Sequence, residues 1–322
     1  MFRPLSALLS VLMLIAPSAA FSQTAAQEPP ARPTPTIADY VYGHDSPQQA
    51  FDFWRAKSDK TTPVVLLIHG GGWQSEDKAD YGEKDIRPFL DAGISVAATN
   101  YRYIQQAMEQ DVKPPVKACL YDAARALQTI RSKAEEWNVD PNRIGATGTS
   151  AGACTSLWLA LHDDLAKPNS KDPIERESTR LTCAAVESAQ TSLDPIQVRQ
   201  WISNAIYGGH AFGFSAAGRK RPKEFALLLE NREKMLPWIK EYSPIELVSK
   251  DDPPIYMDYP NQKQKPEKGQ KERDPTHSAM YGVGLAEKLK AAGVEVELVY
   301  PGHEDRKYGS MKKFLIAKLT AE

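Results

Sequence analysis

A serine lies between glycines where the sequence pattern changes from strand to helix. The Gly-x-Ser-x-Gly motif at 148–152 follows the short apolar stretch 143–147 and opens the apolar run 151–161. In that context the motif places a serine hydroxyl on a tight turn, and the glycines let neighbouring backbone approach it closely. The helix that begins at Ala151 offers unpaired N–H groups and a positive dipole end to a developing oxyanion. We therefore predict Ser150 as a nucleophile and the N–H of Ala151 as an oxyanion donor.

Three consecutive glycines follow an earlier apolar stretch. His-Gly-Gly-Gly-Trp occupies 69–73, directly after the apolar run 64–68. Glycines at the carboxyl end of a strand leave N–H groups free to converge on one point, as an oxyanion hole requires. A phosphate loop is disfavoured, because no Gly-Lys-Ser/Thr or Gly-x-Gly-x-x-Gly sequence opens a helix here. We predict that Gly71 and Gly72 supply oxyanion donors and that His69 is structural.

Apolar stretches of strand length alternate with segments of helical spacing, which predicts βαβ units and a mostly parallel sheet with helices on both faces. Strands are predicted at 51–53, 64–68, 94–99, 143–147, 182–186, 254–257 and 294–300. Helices are predicted at 116–137, 151–161, 222–239, 278–292 and 311–319. The segment 195–243 is rich in glycine, aromatic and basic residues, and we interpret it as an inserted cap or lid, with peripheral packing as the alternative.

Composition limits the class of protein. The 322 residues include 40 Lys and Arg against 41 Asp and Glu, with 42% hydrophobic residues. These values are typical of a globular domain and lack the basic surplus of a nucleic-acid-binding protein. Cys119, Cys154 and Cys183 show no zinc-site spacing, and we interpret them as small buried residues. One disulfide with a remaining free thiol is the alternative.

The N-terminus has the pattern of a secretory signal. Arg3 precedes an apolar run that ends near residue 17, and small residues follow. The run is short for a membrane span, so no stable membrane insertion is expected after cleavage, although an uncleaved anchor is the alternative. We predict a signal peptide at 1–22, a Pro-rich linker at 23–36 and a catalytic domain at 37–322. The protein is then expected to be periplasmic or extracellular.

The two glycine motifs together resemble those of exported α/β-hydrolase carboxylesterases, including feruloyl and acetyl-xylan esterase-like enzymes. The resemblance implies the α/β-hydrolase fold and the chain order nucleophile, acid, histidine. It implies His303 as the general base, because His303 follows the last predicted strand; His277, which opens a helix, is its rival. It implies Asp274 as the acid from its position before that helix, with Asp258 at the end of the preceding strand as the alternative.

This resemblance implies a serine carboxylesterase that forms an acyl-enzyme on Ser150 and uses no metal or organic cofactor. The implied substrates are short-acyl or aromatic-acyl esters, either small or carried on a carbohydrate as polysaccharide decorations. Trp73, Tyr207 and Phe212 are predicted to contact the substrate, with core packing as the alternative. A peptidase or amidase on the same fold is a second interpretation. A non-catalytic binding module is a third, and the intact glycine motifs argue against it.

Overall fold

A mostly parallel sheet positions the predicted catalytic motifs. The computed structural model describes Met1, residues 32–215 and residues 220–321. The sheet has eight strands in the order β1-β2-β4-β3-β5-β6-β7-β8. The strands are β1 (Ile37–Val41), β2 (Ala50–Trp54), β3 (Thr62–Ile68), β4 (Ser95–Thr99), β5 (Val139–Thr149), β6 (Cys183–Glu187), β7 (Ile255–Asp258) and β8 (Val296–Val299). Strand β2 is antiparallel to β1 and β4, and the remaining pairs are parallel. This confirms the predicted α/β-hydrolase fold.

Both faces of the central strands are buried. In β3, Val64, Leu66 and Ile68 belong to one apolar cluster, whereas Val65 and Leu67 belong to a second cluster on the opposite face. A strand covered on both faces is apolar throughout, because successive side chains point to opposite sides. That is why the central strands are visible in the sequence as continuous apolar runs.

Helices cover both faces of the sheet. They are α1 (Glu83–Asp91), α2 (Ile104–Glu109), α3 (Val116–Ser132), α4 (Ala134–Trp137), α5 (Ala151–Leu161), α6 (Pro195–Trp201), α7 (Arg221–Glu230), α8 (Arg232–Tyr242), α9 (Met280–Ala291) and α10 (Met311–Thr320). Helices α3, α5 and α9 contribute to the first cluster, and α1 and α10 contribute to the second. The predicted helix 116–137 divides after Ser132, and the predicted helix 222–239 corresponds to α7 and α8, which meet at Asn231.

All three cysteines are buried and unpaired, which confirms the favoured prediction. Burial raises the pKa of the Cys183 thiol to about 12, so this sulfur is held in its protonated, unreactive form. Among the described helices, none combines the length and the apolar character that a bilayer crossing demands.

The predicted signal at 1–22 and most of the predicted linker lie outside the described residues, and both stay predictions. Arg32, at the start of the described range 32–215, contacts the sheet: its guanidinium pairs with Asp52 at 2.8 Å and donates to the Lys78 carbonyl at 2.9 Å. Within the insertion, Phe225 and Leu228 are buried in the same apolar cluster as α5. Its interpretation as a cap that moves stays a prediction.

Candidate active site

Ser150 occupies a strained turn between β5 and α5. Its φ and ψ are 54° and −117°, and its N–H donates to the Glu187 carbonyl at 3.0 Å. A Cβ on Gly152 would lie 1.9 Å from the Ile68 carbonyl oxygen, so only glycine permits this approach of α5 to β3. A non-glycine residue at positive φ is held there by its surroundings and is common at functional sites. The turn thereby presents the serine hydroxyl beyond the carboxyl end of the sheet, as the motif predicts.

The imidazole beside Ser150 is that of His277. The Ser150 Oγ lies 3.0 Å from His277 Nε2, and His277 Nδ1 lies 2.8 Å from Asp274 Oδ2. Acid and imidazole are three residues apart on the segment that joins β7 to α9. The side chains of His277 and Asp274 are 30% and 53% exposed. The three groups form a continuous hydrogen-bonded series of hydroxyl, imidazole and carboxylate.

Neighbouring polar groups fix this short segment. The N–H of Thr276 donates to Asp274 Oδ1 at 3.1 Å, which turns the backbone so that the carboxylate faces the imidazole. Gln190 donates to the Thr276 carbonyl at 2.7 Å, and the N–H of Ala279 donates to the Gln262 side chain at 2.9 Å. Tertiary contacts on both sides of His277 therefore hold the acid and the imidazole in place.

His303 is not at Ser150, and the prediction that it is the partner of the serine is wrong. Its Nδ1 donates to the Leu298 carbonyl at 2.8 Å, and its ring stacks on Tyr300 with centroids 5.0 Å apart. Tyr300 and His303 also exchange backbone hydrogen bonds, which closes the chain into a tight turn at the end of β8. This local turn holds the imidazole of His303. His277 occupies the position beside Ser150 that we predicted for His303. The Asp-x-x-His spacing before a helix is the signal that favours His277.

Asp274 is the carboxylate that contacts the imidazole, whereas Asp258 does not contact His277. Asp258 ends β7 beside Glu187 and lines a different cavity of about 410 Å³. Burial, followed by the Glu187 charge, raises the pKa of Asp258 to about 6. The geometry therefore favours Asp274 over the alternative acid.

A tyrosine anchors the glycine loop that follows β3. Tyr101 donates its hydroxyl to the carbonyls of His69 and Gly70, both at 2.8 Å. The His69 ring stacks on Tyr101 with centroids 4.2 Å apart, and burial lowers the pKa of this imidazole to about 4. The Gly70 N–H donates to Glu76 Oε2 at 2.9 Å. His69 therefore has the structural position that its sequence context predicts.

The next amide groups of the loop remain available to a ligand. The N–H groups of Gly71, Gly72 and Ala151 donate to no other residue in the described part of the chain. Gly71 and Gly72 line the same cavity as Ser150, and Ala151 is the first residue of α5. Unpaired donors beside a serine hydroxyl are the arrangement that an oxyanion hole requires.

The cavity at Ser150 has a volume of about 370 Å³, within the range of small-molecule sites. Of the three aromatic side chains predicted to contact substrate, only Tyr207 lines it. Trp73 is fully buried and donates its indole N–H to Thr155 at 3.0 Å, and Phe212 is 5% exposed within the core. For Trp73 and Phe212 the alternative of core packing is correct.

Two charged residues at this cavity are absent from our predictions. Arg221 and Glu76 both line it. Glu76 follows the glycine loop by only a few residues, and Arg221 lies in the basic part of the insertion. Neither residue belongs to a sequence motif. The sequence therefore does not predict that they line this cavity, which depends on how the insertion packs against the glycine loop.

Comparison with known proteins gives relatives for part of the chain. The BD-FAE family model matches residues 52–263, which include both glycine motifs and end before Asp274. Gut esterase 1 of Caenorhabditis elegans is 31% identical over 110 residues, covering 33% of this chain and 20% of that protein. A probable carboxylic ester hydrolase, LipM, of Mycobacterium tuberculosis is 28% identical over 149 residues, covering 45% of this chain and 32% of LipM. The chain thus spans a third or less of these curated relatives.

Solved structures resemble most of the chain. An acetyl ester-xyloside bifunctional hydrolase from Caldicellulosiruptor lactoaceticus superimposes with a TM-score of 0.56 and 24% identity, covering 78% of this chain and 76% of that one. A truncated carbohydrate esterase from gut microbiota superimposes with a TM-score of 0.64 and 20% identity, covering 91% and 100%. At these identities the likeness establishes the fold.

Proposed function

The chain belongs to the BD-FAE family, and we propose that it is a serine hydrolase that cleaves carboxylic esters at Ser150. One observation carries the proposal: the Ser150 Oγ lies 3.0 Å from His277 Nε2, and Asp274 holds the other nitrogen of the same ring at 2.8 Å. The names of the curated relatives, an esterase and a probable carboxylic ester hydrolase, support the choice of ester over amide.

In the proposed mechanism His277 Nε2 takes the proton of the Ser150 hydroxyl as the oxygen attacks the ester carbonyl. Asp274 accepts from Nδ1–H, which keeps Nε2 facing the serine and stabilises the imidazolium. The N–H groups of Gly71, Gly72 and Ala151 receive the tetrahedral oxyanion. His277 then protonates the leaving alcohol, and a water molecule repeats the sequence on the acyl-enzyme. No metal or organic cofactor takes part.

For the substrate we propose a short-acyl or aromatic-acyl ester, carried in its natural form on a carbohydrate. The solved relatives described as an acetyl ester-xyloside hydrolase and a carbohydrate esterase support this class. The cavity of about 370 Å³ suits a small acyl group, and the ring of Tyr207 offers an apolar wall. We further propose that the protein is exported, on the basis of its N-terminal sequence pattern.

Replacing the nucleophile tests this proposal. Ser150→Ala is expected to reduce kcat/KM on p-nitrophenyl acetate and methyl ferulate by roughly 10³-fold or more, because no acyl-enzyme forms. Ser156→Ala is the matched control: it removes a hydroxyl from the same helix and should leave turnover near the wild-type value. Among the described residues, that hydroxyl bonds only to the Gly152 carbonyl. Wild-type turnover equal to that of Ser150→Ala, or faster turnover of p-nitroanilides than of esters, would contradict the proposal.

A further inference from the structure

Two cavities meet at the imidazole of His277, and both have a cation in their walls. The Ser150 cavity contains Arg221. A second cavity, of about 380 Å³, is lined by Lys263 and Arg273 together with Asp274 and His277. Because His277 lines both cavities, the second cavity lies directly beside the reaction site.

The guanidinium of Arg221 is positioned beside the oxyanion loop. Its Nη2 donates to Gln74 Oε1 at 2.9 Å and would lie 3.0 Å from a Cβ on Gly72. Its Nη1 lies 3.2 Å from Glu224, and the side chain retains 25% exposure. A guanidinium has five N–H donors, and these contacts use two of them. Arg221 is thus a fixed cation with donors to spare at the wall of the reaction site.

A basic loop, residues 261–273, borders the second cavity. It carries five exposed cations and two carboxylates: Lys263, Lys265, Lys268, Lys271 and Arg273 against Glu267 and Glu272. Among described residues, none of the five cations has an ion-pair partner. The chain as a whole has a formal net charge of −1, so this surplus is local.

The carboxylates near the two cavities are already engaged. Glu76 accepts from the Gly70 N–H at 2.9 Å, and Asp274 accepts from His277. Glu272 accepts from Gln262 at 3.0 Å and is buried, and Glu267 accepts from Gln270. These hydrogen bonds leave the carboxylate charges in place, so the five cations less the two carboxylates give the loop a formal surplus of three positive charges, and the cations are exposed to solvent.

We propose that the substrate of this site is an ester of an anionic oligosaccharide whose sugars carry carboxylates, that is, an acylated polyuronate. The inference rests on the proposed esterase function and names the alcohol half of its substrate. The scissile ester lies at Ser150, a carboxylate on one side meets Arg221, and the continuing chain follows the basic loop. Planar guanidinium donors match carboxylate geometry, and clustered lysines raise the local concentration of a polyanion.

The test compares two acetylated polymers of equal acetyl content. The wild-type protein is assayed on O-acetylated polygalacturonate and on acetylated glucomannan, which is neutral, with p-nitrophenyl acetate as a small reference ester. At low ionic strength we expect kcat/KM to be about 10-fold higher on the polyuronate, because charge attraction raises the encounter rate. The advantage should shrink towards unity as NaCl rises to about 0.5 M, where the Debye length is only a few ångströms.

Charge removal from the loop supplies the structural control. In Lys263→Gln/Lys265→Gln/Lys268→Gln the ratio of kcat/KM on polyuronate to that on glucomannan should fall roughly 5- to 10-fold. The matched control is Lys57→Gln/Lys60→Gln/Lys250→Gln. These three lysines are exposed, have no ion-pair partner among described residues, and precede the amino ends of parallel strands. That control has the same net charge as the loop variant and should keep the wild-type ratio. Arg221→Lys should keep more of the preference than Arg221→Gln.

The outcomes separate this inference from the function on which it rests. Equal wild-type kcat/KM on the two polymers, or an equal loss of the ratio in the loop variant and its control, would overturn the polyuronate assignment while p-nitrophenyl acetate is still cleaved. Absence of Ser150-dependent turnover on every ester would instead overturn the esterase proposal.

Discussion

At the scale of residues, the acid and the imidazole come from one short segment. Asp274 and His277 are separated by a single turn of backbone, and the carboxylate is 53% exposed. The orientation of the imidazole is therefore fixed in two ways. The Thr276 N–H donates to Asp274 within the segment, and Gln190 donates to the Thr276 carbonyl from outside it. Asp258, the carboxylate at the end of β7, is in a different environment, in which burial and then the charge of Glu187 raise its pKa.

The raised pKa of Asp258 predicts a pH-dependent cost to stability. Its folded pKa of about 6 exceeds the ordinary value of 3.8, so the native protein binds a proton more tightly than the unfolded chain. The contribution of this group to the free energy of unfolding is fully present below about pH 4 and is lost as the pH rises through 6. We expect Asp258→Asn to raise the free energy of unfolding by about 1 kcal/mol near pH 8, with little effect near pH 4.

Urea unfolding at both pH values measures this difference. An equal effect of the substitution at the two pH values would show that the folded pKa of Asp258 is not raised. The same variant should retain near-wild-type kcat on p-nitrophenyl acetate, since Asp258 does not contact His277. A large loss of kcat would instead indicate that Asp258 is the triad acid.

At the scale of elements, the site depends on two backbone turns at neighbouring strand ends. The turn at Ser150 is possible because Gly152 lets α5 approach the end of β3. The glycine loop keeps its shape because Tyr101, which follows β4, holds the carbonyls of His69 and Gly70. The next residues, Gly71 and Gly72, line the cavity, so Tyr101 positions the N–H groups that we propose as oxyanion donors.

Tyr101→Phe tests this positioning role. Loss of one hydroxyl leaves two buried carbonyls without their donor, and the free energy of unfolding should fall by about 1–2 kcal/mol. The N–H groups of the loop then lose their alignment, and kcat on p-nitrophenyl acetate should fall about 10-fold or more. Tyr42→Phe is the matched control, because the Tyr42 hydroxyl is also buried and donates to a carbonyl, that of Asn100 at 2.7 Å.

The control should lose similar stability while kcat stays near the wild-type value. Equal kcat in the two variants, measured at a temperature where both are folded, would show that Tyr101 serves stability alone.

At the scale of the whole molecule, the central strands and the nucleophile turn follow from the sequence, because a doubly covered sheet leaves uninterrupted apolar runs. The helix predicted at 151–161 has the observed bounds. The outer elements β1 and α1 were not predicted, since β1 is a short and mostly exposed strand, and α1 is a short amphipathic helix with Pro88 in its interior. The sequence also did not show which aromatic residues of the insertion line the cavity, because Tyr207 and Phe212 are both buried and only the packing of the insertion separates them.

The assignment of the imidazole failed for a different physical reason. His277 and His303 both follow late strands and both precede helices, so chain order alone does not separate them. The choice depends on loop paths: Gln190 and Gln262 fix the segment of His277, whereas backbone hydrogen bonds with Tyr300 close His303 into its own turn. The path at His277 depends on contacts with residues remote in sequence, which one sequence does not display.

The most direct test of this account compares the two histidines. We expect His277→Ala to lower kcat/KM on p-nitrophenyl acetate by roughly 10³-fold or more, because no group remains to take the Ser150 proton. The His303 imidazole bonds to the Leu298 carbonyl and stacks on Tyr300, away from Ser150, so His303→Ala should stay within about threefold of the wild type. Folding of both variants is checked by their circular dichroism. Loss of activity in His303→Ala with activity retained in His277→Ala would contradict the triad of Ser150, His277 and Asp274.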